Sequence, residues 1–189
     1  ANLTYFVNEE VMVFASASSG TKSGGFNGVA AEGFSREFKD EDTTNYELGI
    51  KSELFNNRLR INATAFYTEF SDLQFQAQQP SGVGTYVSNA AEGTSAGVDL
   101  NVSAAPWEFL MLSGGLQYLD AEYTDGILSE QNFDVPYAPT WSGNVSATFL
   151  LPVAEGVSYL RGDYSYMSDH FNNPTYQPET VEQDKNLVN

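Results

Sequence analysis

The chain has 189 residues, with 25 acidic side chains against 8 basic ones and a formal charge of −17. That balance excludes a nucleic-acid binder built on a basic stripe, and the absence of cysteine excludes disulfide scaffolds, thiol catalysis and cysteine metal centres. No stretch approaches ~18 consecutive apolar residues, which excludes a transmembrane helix but not a membrane-crossing β-strand, since such strands alternate apolar and polar residues.

In chain order, Asn2–Val7 reads as a strand turning at Asn8-Glu9-Glu10, and Val11–Ser19 as a second strand entering the glycine-rich stretch Gly20–Gly28. From about Thr44 to Phe55, Tyr46, Leu48, Ile50 and Leu54 alternate with Glu47, Gly49, Lys51 and Glu53. A period of two is the signature of a strand; a helix would space its apolar residues by three and four. Asn56-Asn57 then makes a compact turn, because Asn tolerates positive φ. The partner strand runs from about Arg58 to Asp72. It places Leu59, Ile61, Ala63, Ala65 and Tyr67 on one face and Arg60, Asn62, Thr64 and Thr68 on the other, while Phe66 and Phe70 depart from the scheme. Further alternation follows at Tyr86–Ala104, from Leu110 to Tyr118 and from Asn144 to Leu151. Val157–Ser168 is a more mixed aromatic strand, and Leu187-Val188-Asn189 opens another.

The connections alternate in length. Short ones fall at Phe55–Arg58, Ala105–Glu108 and Pro152–Gly156; long polar ones fall at Gly20–Thr43, Gln74–Thr85, Thr124–Tyr137 and Asp169–Asn186. A soluble sandwich has no reason to gather its long loops at one end. A transmembrane β-barrel does, with short periplasmic turns on one rim and long extracellular loops on the other. The segments, about 10 to 18 residues each, exceed the ~5–6 residues of ordinary soluble strands and suit a tilted bilayer crossing. Phe and Tyr, 13 and 11 in number, cluster toward strand ends, as rings at a membrane–water boundary do. The expected fold is therefore all-β, an antiparallel segment of a transmembrane barrel. A passive porin-like barrel and a soluble β-sandwich binding module are the alternatives.

Catalytic chemistry finds little support. The single histidine, His170, lies beside Asp169 in a long loop without cysteine, which argues against a transition-metal site, and it lacks an obvious serine partner by sequence pattern for a nucleophilic triad. Gly82-Val83-Gly84 lacks the strand-to-helix context of a phosphate loop. The acids of the long loops, Glu37, Asp40, Glu41 and Asp42 among them, read as solvated loop residues or as attraction for cationic ligands or divalent ions. Gly24-Gly25-Phe26-Asn27 reads as a tight turn or a ligand-contacting tip. No enzyme, cofactor or metal is expected. An exported barrel needs a signal peptide and none is visible at Ala1, so the chain is expected to be processed or excerpted from a longer protein.

Gly20–Asn27 (GTKSGGFN), Asn45–Phe55 (NYELGIKSELF), Phe66–Gln74 (FYTEFSDLQ) and Val87–Leu100 (VSNAAEGTSAGVDL), with Ala138-Pro139 further along, resemble the TonB-dependent outer-membrane receptors. Thr21 departs from the aromatic that relatives often carry before the lysine. The resemblance implies a 22-stranded barrel, of which residues 1–189 form a part of the later half. It also implies a separate N-terminal plug and a TonB-engaging box outside these residues, as well as C-terminal strands beyond them. It implies a bacterial outer-membrane location and TonB-driven uptake of a scarce nutrient, foremost a ferric siderophore or other iron complex, with outer-membrane lipid as the surrounding partner. No family-wide substrate signature is matched. By loop position alone, Phe26, Tyr86, Phe133, Tyr137 and Tyr176 are the candidate ligand contacts.

Overall fold

The computed structural model describes residues 1–28, 35–78, 84–130, 134–153, 156–172 and 181–189. Seven long strands carry the molecule: β2 (Val11–Lys22), β5 (Glu41–Leu54), β6 (Leu59–Gln78), β7 (Thr85–Trp107), β8 (Leu110–Gly126), β9 (Trp141–Val153) and β10 (Gly156–Met167). Shorter β1 (Asn2–Phe6) and β13 (Lys185–Val188) flank them. The pieces β3 (Gly25–Phe26), β4 (Glu37–Phe38), β11 (His170–Phe171) and β12 (Val181–Glu182), with the one-turn helix α1 (Ile127–Glu130), lie in the connections. The main sheet has nine strands in the order β1-β2-β5-β6-β7-β8-β9-β10-β13, each antiparallel to the next. β3 pairs with β4 and β11 with β12 as separate two-stranded hairpins.

Register carries the alternation across the sheet. Val13, Ile50, Ala63, Leu100 and Leu116 lie opposite one another in one cross-strand row, and the neighbouring row holds Lys51, Asn62, Asn101, Gly115, Asn144 and Ser165. One face is therefore apolar and the other polar. No second layer covers the apolar face: among the described residues only Ala91 and Leu110 are buried hydrophobics, while Leu48 is 64% exposed and Val145 51%. A water-soluble sandwich buries that face against a second sheet. A sheet this long with an uncovered greasy face is in balance only against a hydrocarbon surround.

Aromatic rows bound the apolar face. At the long-loop end Tyr46 lies opposite Tyr67, and Tyr118 meets Trp141 at 4.9 Å between ring centroids. At the short-turn end Trp107 stacks on Phe109 at 5.9 Å and 7°. Nine residue steps separate Tyr46 from Phe55, which at ~3.3 Å per residue and a tilt of ~40° gives a height of roughly 23 Å, close to the ~25 Å band of a barrel.

Two expectations change. The connection read as Gln74–Thr85 contains strand at both ends: β6 continues to Gln78 and β7 begins at Thr85, with Gln76 opposite Val87. Leu73, Phe75 and Ala77 alternate there with Gln74, Gln76 and Gln78, and the ladder resumes after two register shifts, beside Asp72 with φ 52° and at Leu73/Gln74. The stretch read as loop at Asp169–Asn186 contains β11, β12 and the start of β13. The Asn56-Asn57 turn is present, and positive φ extends over Phe55, Asn56 and Asn57 at 54°, 56° and 64°.

Candidate functional site

The long loops gather at one end of the sheet and form two hydrogen-bonded groups. In the first, residues 23–28 and 35–40 of the β2–β5 connection fold across the upper parts of β6 and β7. The glycines make this approach possible. A Cβ on Gly24 would lie 2.9 Å from the Asp40 nitrogen, and one on Gly25 would lie 2.9 Å from the Phe38 ring. The Gly24 N–H donates to the Asp40 carboxylate at 2.6 Å. Asn27, only 8% exposed, holds the far end: its Nδ2 donates to the Val87 carbonyl at 2.9 Å and its Oδ1 accepts from the Val87 N–H at 2.8 Å. Asn89 Oδ1 accepts from the Lys39 N–H at 2.7 Å, and Gln74 Nε2 donates to the carbonyls of Ser23 and Lys39 at 3.1 Å each.

The second group joins the β8–β9 connection to the β11–β12 hairpin. The Tyr137 N–H donates to the Phe171 carbonyl at 2.7 Å, the Asp169 N–H to Asp184 Oδ1 at 2.7 Å, and Asn172 Nδ2 to Glu182 at 2.9 Å. Glu182 also pairs with Lys185; hydrogen bonds from Lys185 and then Asn172 hold its carboxyl below the usual carboxylate range. Beside this hairpin lies a polar cavity of about 300 Å³, lined in part by Asp120, Asp134, Thr140, Asp169, His170 and Phe171. The cavity offers carboxylates and hydrogen-bonding groups to a polar ligand; among the described residues no group of three or more metal-ligating side chains gathers.

Acids exceed bases at this end, and the bases are engaged. Lys22 pairs with Glu41 at 3.4 Å, Lys39 with Asp72 at 3.3 Å, and Arg36 Nη2 donates to the Gly28 carbonyl at 3.4 Å. A larger open hollow of about 400 Å³ lies on the polar face at the short-turn end, between Glu9, Glu10, Lys51 and Arg60. It adjoins β1, the last strand on that side of the sheet, and is a feature of a sheet edge.

Of the five aromatic candidates, Phe26 projects from the first group and is 76% exposed. Tyr86 lies in β7, directly before the Val87 held by Asn27, so the fold brings the Phe26 and Tyr86 segments side by side. Tyr137 is in the second group, 68% exposed, with φ 59°. Phe133 and Tyr176 lie outside the described residues. Sequence reasoning singled out Asn27 only as part of the Gly24–Asn27 turn or tip, and it missed Gln74 and Asn89; these roles depend on partners up to 60 residues away.

Known proteins share the family and the fold of this chain. A family profile described as "TonB dependent receptor-like, beta-barrel" matches residues 1–184. The metal-pseudopaline receptor CntO of Pseudomonas aeruginosa (strain UCBPP-PA14) is 34% identical over 120 residues, covering 64% of this chain and 16% of that protein. The ferric yersiniabactin uptake receptor FyuA of Yersinia pestis superposes over 99% of this chain and 28% of its own, with TM-score 0.82 and 21% identity. The ferric preacinetobactin receptor BauA of Acinetobacter baumannii superposes over 99% of this chain and 27% of its own, with TM-score 0.76 and 21% identity. The chain thus spans about a sixth of the curated relative's length and over a quarter of each solved structure.

Proposed function

Because the chain belongs to the TonB-dependent receptor family, as a stretch of its β-barrel, we propose that it forms part of an outer-membrane receptor that imports a metal complex, foremost a ferric siderophore. The observation that carries this reading is the single sheet with an uncovered apolar face, banded by aromatic rows and topped by long polar loops. The apolar face then contacts outer-membrane lipid, the polar face lines the lumen of a 22-stranded barrel, and the loop end is extracellular. The plug, the TonB-engaging segment and the remaining strands belong to other parts of the polypeptide. Energy comes through TonB from the inner membrane, and no residue here needs to do covalent chemistry. The ligands for which these relatives are named, a metal–pseudopaline complex and ferric siderophores, support a metal complex as cargo.

The test is uptake of ⁵⁵Fe(III) chelated by the medium of an iron-starved culture of the native host, in cells with and without the complete gene. Uptake is expected to depend on the gene and to stop on adding a protonophore. Gene-dependent uptake that continues without the proton gradient would mark a passive barrel; loss of gene dependence would remove iron complexes as the cargo.

A further inference from the structure

The upper part of β7 has a peculiarity. Its ladder with β8 begins at Ala91, opposite Gly126, so residues 85–89 pair with β6, and among the described residues no strand pairs with them on the β8 side. Open strand edges leave backbone donors and acceptors to be satisfied by something else. Asn27 does this at Val87, donating one hydrogen bond and accepting one, as the backbone of an opposing residue would. It comes from the loop between β2 and β5, so it reaches past β6 to do so. Two more carboxamides, Gln74 of β6 and Asn89 of β7, bind the backbone of the same loop at Ser23 and Lys39.

We propose that Asn27 is a positioning residue of the extracellular mouth. Its carboxamide takes the place of a strand partner at Val87 and, together with Gln74 and Asn89, clasps residues 23–28 and 35–40 of the β2–β5 connection as a strap. This places Phe26 beside the Tyr86 end of β7 as a preformed wall for ligand. The ligand part of this inference rests on the uptake reading above; the clasp itself does not. The strap is held by side-chain-to-backbone bonds from three separate positions, and Asn27 is almost fully buried among them, so residues 23–28 and 35–40 enter the bound state already held. Ordering it on binding would weaken affinity.

Two variants of the complete receptor in native outer membranes test this, Asn27→Asp and Gln74→Ala. Asn27→Asp keeps the shape but turns the donor facing the Val87 carbonyl into a negative acceptor. Heat-dependent gel migration confirms barrel assembly in each. Trypsin applied to intact cells reads the strap directly, because Arg36 and Lys39 lie within it. Cleavage there is expected to accelerate about tenfold or more in Asn27→Asp. The half-saturating concentration for ⁵⁵Fe uptake from iron-starved medium is expected to rise by a similar factor at unchanged maximal rate. Unchanged cleavage in both variants would overturn the clasp. Faster cleavage with unchanged half-saturation would overturn the positioning of ligand contacts. If the unaltered receptor imports no iron, the uptake reading falls along with the ligand part of this one, and the cleavage rates still decide the clasp.

Discussion

Phe66 and Phe70 break the alternation of their strand, and pairing explains them. Phe14 lies opposite Gly49, Phe66 opposite Gly97 and Phe70 opposite Gly93, all on the polar face. At two of these pairs the ring covers the glycine, since a Cβ on Gly49 would come 2.5 Å from the Phe14 ring and one on Gly97 would come 2.6 Å from the Phe66 ring. An aromatic laid over a cross-strand glycine restores packing that the glycine lacks and helps to pin register. Lys51 lies 5.3 Å over the Phe14 ring, which adds a cation–π contact. Gly97→Val is therefore expected to destabilise the barrel by about 1–3 kcal/mol through overpacking, seen as a lower urea midpoint. Phe66→Ala in the same chain should recover only part of that loss, because the Tyr118 carbonyl also crowds the position. Full recovery would mean the ring alone sets the limit. The sequence marked these phenylalanines as misfits but could not say why, since the explanation sits on the next strand.

At the scale of strands, the two faces make opposite demands. Leu100 and Val145 lie on the apolar face, while Asn101 and Asn144 lie one residue away on the polar face, in the same row as Gly115. Leu100→Arg or Val145→Arg should cost ~2–4 kcal/mol near the bilayer midplane and reduce the heat-shifted, assembled fraction, whereas Asn101→Arg and Asn144→Arg should assemble close to normally. Equal loss on both faces would contradict a lipid-facing assignment. The alternation behind this was fully legible, because a period of two is a local property of strands. The lengths of β6 and β7 were not. The Gln-rich end of β6 alternates Leu73, Phe75 and Ala77 with Gln74, Gln76 and Gln78, but it follows the irregularity at Asp72, and its length shows only in the ladder with β7.

For the whole molecule, the mouth divides into a clasped group carrying Phe26 and Tyr86 and a second group around Tyr137 and His170. β8 is paired to β7 as far as Gly126, so a loop deletion that spares the barrel must start after it. Replacing residues 127–136 with a short Gly-Ser linker should leave heat-dependent migration intact but weaken ⁵⁵Fe uptake. Unchanged uptake would exclude the second group from the ligand path. Two of the five aromatic candidates, Phe26 and Tyr86, meet in one group through Asn27, and no periodicity could have foretold that meeting.

The sequence by itself determined strand identity, the character of the two faces and the segregation of long loops to one end. Each of these is written in neighbouring residues, through side-chain period and turn chemistry. Tertiary structure decided the register that sets phenylalanine over glycine, the continuation of the β6–β7 ladder past the irregularity at Asp72, and the clasp that ties Asn27 to Val87. These depend on hydrogen bonds and ring contacts between residues up to 60 positions apart. Such contacts exist only once the strands have paired, because a carboxamide can replace a strand partner only where folding has left an edge open.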